Sequence, residues 1–146
     1  MKYLLDTNMV SEMIKSKPDA AVLERCKKYW KDIGIGSPVW HELLYGCYRM
    51  PLSRKREVIE MFLEDVIGKN FPILPYEAQA ARWHAMERAR LSLDARTPTF
   101  VDGQIAAIAV TNGLTLVTRN TSDFKVFSGL RLATWHTAEK RIKDST

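Results

Sequence analysis

Cysteine and histidine are scarce in this chain of 146 residues, with two of the first and three of the second. Cys26 and Cys47 lack CxxC spacing and lie in segments of helical pattern, so both are expected to be buried free thiols. His41-Glu42 begins like the zinc-protease HExxH, but Tyr45 stands at the second ligand position and the motif fails. His84 and His136 have no partner spacing and read as surface or core histidines. The seven glycines form no GxGxxG or P-loop, which disfavours a nucleotide cofactor. No apolar run approaches the roughly 18 residues of a membrane span. The N-terminal MKYLLDTN has too short an apolar run for a signal peptide, so a cytoplasmic protein that avoids membranes is expected.

The charge is one-sided: 22 Lys and Arg against 17 Asp and Glu give a formal net charge of +5, which favours a polyanionic partner. Hydrophobic residues at 46% and charged residues at 27% are ordinary globular values and exclude extensive disorder. Residues 1–146 are expected to form a single domain, with 137–146 as a frayed tail.

Against this basic background four acids fall inside or at the ends of the most apolar stretches: Asp6 in KYLLDTN, Glu42 in SPVWHELLYG, Asp102 in TFVDGQIAAIAV and Asp123 in LVTRNTSDF. Burying an unpaired carboxylate costs several kcal/mol or more, so such acids usually have a cation to hold.

Strands and helices alternate along the chain. Residues 2–5 fit a buried strand, ended by the turn- and cap-forming Asp6-Thr7-Asn8, and a helix follows from about Met9. The next helix spans 20–30 after a Ser16 or Asp19 cap. Ile33 to Gly36 is a second strand, and Ser37-Pro38 starts a helix with Ser at the N-cap. The clearest amphipathic helix spans 53–67, closed by Gly68. A third strand over 71–74, an Arg-rich helix over 77–91, a helix over 100–112 and strands over 114–118 and 130–134 complete the pattern. This is an α/β architecture, a mostly parallel sheet of four or five strands with helices on both faces, and ligands bind beyond the carboxyl ends of such strands.

In that arrangement Asp6 follows the first strand, Glu42 lies early on the helix after the second, Asp102 is in the first turn of its helix, and Asp123 is in the loop after the fourth strand. All four can converge at one sheet edge. Carboxylates gathered there repel one another unless a divalent ion compensates them, and oxygen-only ligation points to Mg²⁺ or Mn²⁺. Such an ion suits phosphate esters, so a basic protein with an acidic pit is a candidate nuclease. A phosphatase or phosphoryl-transfer domain also places Asp after its first strand. The former wants a second acid where Asn8 stands, and the latter wants an acidic pair and a late Lys that are missing.

DTN at 6–8 with SE at 11–12, HELLYG around Glu42, DGQIAA from Asp102 and TRNTSDF from Thr118 resemble the PIN domain. In order and spacing they are most similar to the VapC and FitB-type toxins of type II toxin–antitoxin pairs, over residues 2 to about 135. The resemblance implies a PIN-like fold and a Mg²⁺- or Mn²⁺-dependent endoribonuclease that hydrolyses RNA by metal-activated water. It also implies a cognate antitoxin partner, a homodimer and a toxin–antitoxin hetero-oligomer. A catalytically silent PIN-like binding module is the alternative. On the matching positions, Asp6 and Asp102 would be primary metal ligands, Asp123 a third, and Glu42 either a second-metal ligand or the residue that orients water. Thr7, Asn8, Thr118 and Asn120 would support the carboxylates or the phosphate. Asn120 is a departure, standing where many relatives have Asp.

Arg119, between a strand end and Asp123, is the foremost candidate for RNA contact. The clusters Lys27-Lys28-Lys31, Arg49 with Arg54-Lys55-Arg56, and Arg82-Arg88-Arg90 with Arg96 read as solvated helix faces. Trp40, Trp83 and Tyr45 have the chemistry to stack on bases, although core packing is expected for at least two of them.

Overall fold

The structure, a computed structural model, describes residues 1–137. Five strands form one sheet in the order β3-β2-β1-β4-β5, and every neighbouring pair is parallel. They are β1 (Tyr3–Leu5), β2 (Ile33–Gly36), β3 (Ile73–Leu74), β4 (Thr115–Val117) and β5 (Arg131–Ala133). The three inner strands are apolar because a parallel sheet is covered on both faces. Leu4, Leu5, Ile33, Ile35, Leu116 and Val117 are all essentially inaccessible. The expected mostly parallel sheet is thus fully parallel. Most of the segment expected to fray lies outside the described residues.

The helices are α1 (Thr7–Ile14), α2 (Ala20–Lys28), α3 (Ser37–Tyr48), α4 (Arg54–Met61), α5 (Gly68–Asn70), α6 (Ala78–Leu93), α7 (Phe100–Thr111) and α8 (Thr121–Phe124). Their starts follow local chemistry. Asp6 caps α1, Asp19 accepts from the N–H groups of Ala21 and Val22 at the head of α2, Ser53 caps α4 and Thr99 caps α7. Helix α7 is buried on most of its circumference, with Ala106, Ala107, Ile108 and Ala109 inaccessible, so it is a core helix.

Several boundaries differ from expectation. Helix α1 begins at Thr7, because Asp6 itself is the cap. Helix α3 begins at Ser37 with Gly36 as its cap, so Pro38 falls one position further in. Gly68 does not close its helix: α4 continues through a π-helical turn, Phe62–Ile67, into α5, with Gly68 in right-handed helical conformation. A Cβ at Gly68 would meet the Trp40 ring at 3.2 Å, so glycine serves the passage of the indole over the helix. Only Ile73–Leu74 pair in the third strand, while the Pro72 carbonyl accepts from Ile35 N–H at 2.9 Å. Cys26 and Cys47 are buried free thiols, and burial pushes Cys26 up to about 11.

Candidate active site

The chain winds outward from β1 through β2 to β3, then returns to place β4 on the other side of β1. The crevice beyond the carboxyl ends of β1 and β4 is therefore the topological switch point of the sheet. The residues that leave those two ends are Asp6 and Thr118, and the Asp6 backbone N–H donates to the Val117 carbonyl at 3.0 Å.

Asp6 is only 6% exposed. Its Oδ1 accepts from Thr7 N–H at 2.8 Å, and its Oδ2 accepts from the Thr118 hydroxyl at 2.8 Å and the Asn8 side-chain amide at 3.1 Å. Three neutral donors orient a buried carboxylate without cancelling its charge. The network continues outward. Thr118 Oγ1 accepts from Asn120 N–H at 3.0 Å, and Asn8 Oδ1 accepts from Arg119 N–H at 3.1 Å. Thr7, Asn8, Thr118 and the backbones of Arg119 and Asn120 thus form a single cradle for Asp6.

Asp102 arrives from the first turn of α7, where Thr99 Oγ1 accepts from its backbone N–H at 3.1 Å. Burial raises its pKa above the ordinary carboxylate value. The charge of Asp6 raises it further, a hydrogen bond with Thr99 opposes this, and the charge of Asp123 adds to the rise. Glu42, half-buried in the second turn of α3, lines the same cavity of about 680 Å³ as Asp6, Thr7, Asn8, Asp102, Arg119 and Asn120.

Of the four acids only Asp6 is fully buried, Glu42 and Asp102 are half-buried, and Asp123 departs furthest from the expected burial. It lies exposed in the short helix α8, outside that cavity lining, because Phe124 takes the inward position beside it. It reaches the site only as a charge that Asp102 feels. Among the described residues, none of the four acids is in a salt bridge, and no three His, Cys, Asp or Glu side chains close into a metal-binding cluster. A cavity in which the charge of Asp6 raises Asp102, with no cation paired to either, has the donor set and charge that suit a hard divalent ion.

Two acids outside the candidate set, Glu12 and Glu87, are also buried. Glu12, 3% exposed, also lines the cavity, but its oxygens are taken. Oε2 accepts from Asp19 N–H at 2.7 Å, while Oε1 accepts from Lys15 Nζ at 3.0 Å and lies 3.3 Å from His136 Nε2. Burial pushes its pKa up, but these partners outweigh it and hold it below the ordinary value. Its signal was the one used for the others, an acid between Met9-Val10 and Met13-Ile14.

His84 and His136 are structural in setting. His84 is buried, its Nδ1 2.7 Å from Tyr76 Oη, and burial together with the charge of Arg88 keeps it below its ordinary pKa and neutral. Trp40 and Trp83 pack against the core, whereas Tyr45 is exposed. Most of the basic clusters are solvated, but Arg56 donates to the Met50 carbonyl, and Arg90 joins Glu87 and the Val126 carbonyl.

The PIN domain model matches residues 3–130. A tRNA(fMet)-specific endonuclease VapC of Shigella flexneri is 35% identical over 136 residues, covering 92% of this chain and 98% of that one. The DNA-bound VapBC of Salmonella typhimurium superposes with a TM-score of 0.82 at 31% identity, covering 92% and 98%. FitAcB from Neisseria gonorrhoeae superposes with a TM-score of 0.82 at 28% identity, covering 89% and 95%. The chain belongs to the PIN-domain family and, within it, to the VapC ribonucleases.

Proposed function

We propose that this chain is a Mg²⁺- or Mn²⁺-dependent endoribonuclease, the toxin of a type II toxin–antitoxin pair, acting in the cytoplasm. The observation that carries the chemistry is that Asp6 and Asp102 face one cavity, Asp6 raises the pKa of Asp102, and neither has a cationic partner among the described residues. Asp6 and Asp102 would hold the ion, with Asp123 as an outer ligand. A divalent ion there would neutralise a non-bridging phosphate oxygen and acidify water.

The chain's own residues supply the rest. Thr7, Asn8 and Thr118 fix the direction of the Asp6 lone pairs, Thr99 fixes the start of α7 and hence Asp102, and Asn120 helps hold Thr118. Glu42 orients the attacking water and takes up its proton. Arg119, exposed on the cavity rim, meets a phosphate oxygen. In-line hydrolysis then leaves a 5′-phosphate and a 3′-hydroxyl and makes no use of the 2′-hydroxyl.

RNA as substrate is supported by the Shigella relative, whose name specifies a tRNA endonuclease. An antitoxin partner is supported by the solved neighbours, which are VapBC and FitAB assemblies. The chain is read as a homodimer within such an assembly.

The test is to incubate the purified chain with total RNA and Mg²⁺ or Mn²⁺, then sequence the 5′-phosphate ends beside an Asp102→Asn control. Discrete ends that vanish in the control and in EDTA are expected. Cleavage that persists in EDTA, cyclic 2′,3′-phosphate products, or a fully active Asp6→Ala would overturn the assignment.

A further inference from the structure

We propose that the exposed side of α3 next to the acid cavity is a stacking rail for the bases of single-stranded RNA, formed by His41, Tyr45 and Arg49. The ligand class rests on the ribonuclease reading above. The rail itself rests on spacing, exposure and ring geometry.

Residues four apart on a helix stand one above the other. The His41 and Tyr45 rings lie 6.1 Å between centroids with planes 13° apart, and the Arg49 guanidinium sits 5.4 Å from the Tyr45 centroid. Tyr45 is nevertheless 53% exposed, so neither neighbour covers it. The other tyrosines divide sharply. Tyr3, Tyr29 and Tyr76 pack against the core, while Tyr48, the only other exposed one, lies on this same helix with the Arg56 guanidinium 5.9 Å from its ring. Tyr45 beside the exposed Arg49 guanidinium presents a π-face and positive charge together, the pairing that binds unpaired bases and their phosphates, whereas the Arg56 guanidinium beside Tyr48 is half-buried and paired with Glu60 at 3.9 Å.

Position ties the rail to the chemistry. Tyr45 is three residues beyond Glu42 and therefore its neighbour on the helix surface. His41 and Glu42 share a cavity of about 270 Å³ with Tyr76 and Gln104, and Glu42 and Val101 line both that cavity and the acid cavity. A phosphate held over the acid cavity by Arg119 and by the divalent ion the acids would bind leaves its flanking base at the foot of the rail. A duplex keeps its base faces stacked inside, so the rail selects loops and unpaired ends.

The experiment measures fluorescence anisotropy of a labelled oligouridylate, and of its duplex with oligoadenylate, on the full chain carrying Asp102→Asn so that nothing is cut. Adding Tyr45→Ala is expected to weaken single-strand binding by about ten-fold, adding Tyr45→Phe to preserve it within about two-fold, and the duplex to be insensitive to both. Equal single-strand affinities for the Tyr45→Ala and Tyr45 chains would overturn the rail, as would an equal loss on the duplex. Cleavage by the chain with Asp102 intact, run in parallel, separates the two readings. Active cleavage with KM unchanged in Tyr45→Ala sinks the rail alone, whereas a Tyr45-dependent affinity in a chain that cuts no RNA supports the rail and sinks the nuclease.

Discussion

The Thr118 hydroxyl donates to Asp6 Oδ2 at 2.8 Å, joining the carboxyl ends of two adjacent strands across 112 positions of sequence. Thr118 is fully buried, so no water can replace the bond. Thr118→Val keeps the shape and removes the only hydroxyl in the cradle's centre, leaving Asn120 N–H without its acceptor as well. A loss of about 1–3 kcal/mol in denaturant unfolding is expected, with RNA cleavage falling and Thr118→Ser restoring both. Unchanged stability in Thr118→Val would show that the bond does not hold Asp6.

Asp102 should respond to the metal in both directions. Without a divalent ion its charge is opposed by burial, Asp6 and Asp123, so Asp102→Asn in EDTA is expected to melt at or above the temperature of the parent chain. With millimolar Mn²⁺ the parent should gain stability and the variant should not; an ion at a hundred times its Kd adds about 2.7 kcal/mol. Differential scanning fluorimetry reads both orders. A variant that gains as much as the parent would place the ion elsewhere.

Acid should unfold the chain through three other carboxylates. At Glu12 and Asp19 burial alone would raise the pKa, but hydrogen bonds outweigh it, and at Glu87 the Arg90 pair dominates; all three lie below their ordinary values. Groups lowered in the fold add stability that is complete above the unfolded carboxyl values, roughly pH 4, and is lost as pH falls through the folded ones. Melting temperature is therefore expected to be flat near pH 6 and to drop below about pH 4, with Glu12→Gln flattening that drop. A Glu12→Gln profile parallel to the parent's would remove Glu12 from the account.

Gly103 sits where α6 and α7 touch, and a Cβ there would collide with the His84 ring. The ring cannot swing freely, because Tyr76 holds Nδ1 at 2.7 Å. Gly103→Ala is expected to cost about 1–3 kcal/mol and to reduce cleavage by displacing the adjacent Asp102, with His84→Ala recovering part of the stability in the double variant. Additive losses in the two single variants would argue against a direct clash.

Asp6, Glu42 and Asp102 were legible because a carboxylate beside an apolar run is expensive, and the parallel order of strands told where they meet. Asp123 carried the same signal without the burial it implied. The apolar residues around it belong to β4 and to Phe124, and in the short helix α8 the acid turns outward while Phe124 turns in. Glu12 carried the signal truly and was passed over. Its partner His136 lies 124 positions away, a pairing that local pattern cannot show. Gly68 misled for another reason: a glycine after an amphipathic run reads as a stop, and only the Trp40 ring above it explains a glycine inside a continuing helix.

Of the five strands the central β1 leaves the ribosome before the others, while β4, its neighbour on one side, is the fourth of the five. A nascent chain that has exposed Asp6, Glu42 and Asp102 still lacks the edge at Val117 and the hydroxyl of Thr118 that seat Asp6. Parallel pairing between distant segments cannot be rehearsed locally. A fragment ending between residues 102 and 117 therefore carries three of the four acids without the Thr118 hydroxyl that seats Asp6, so synthesis must pass residue 118 before the site is complete.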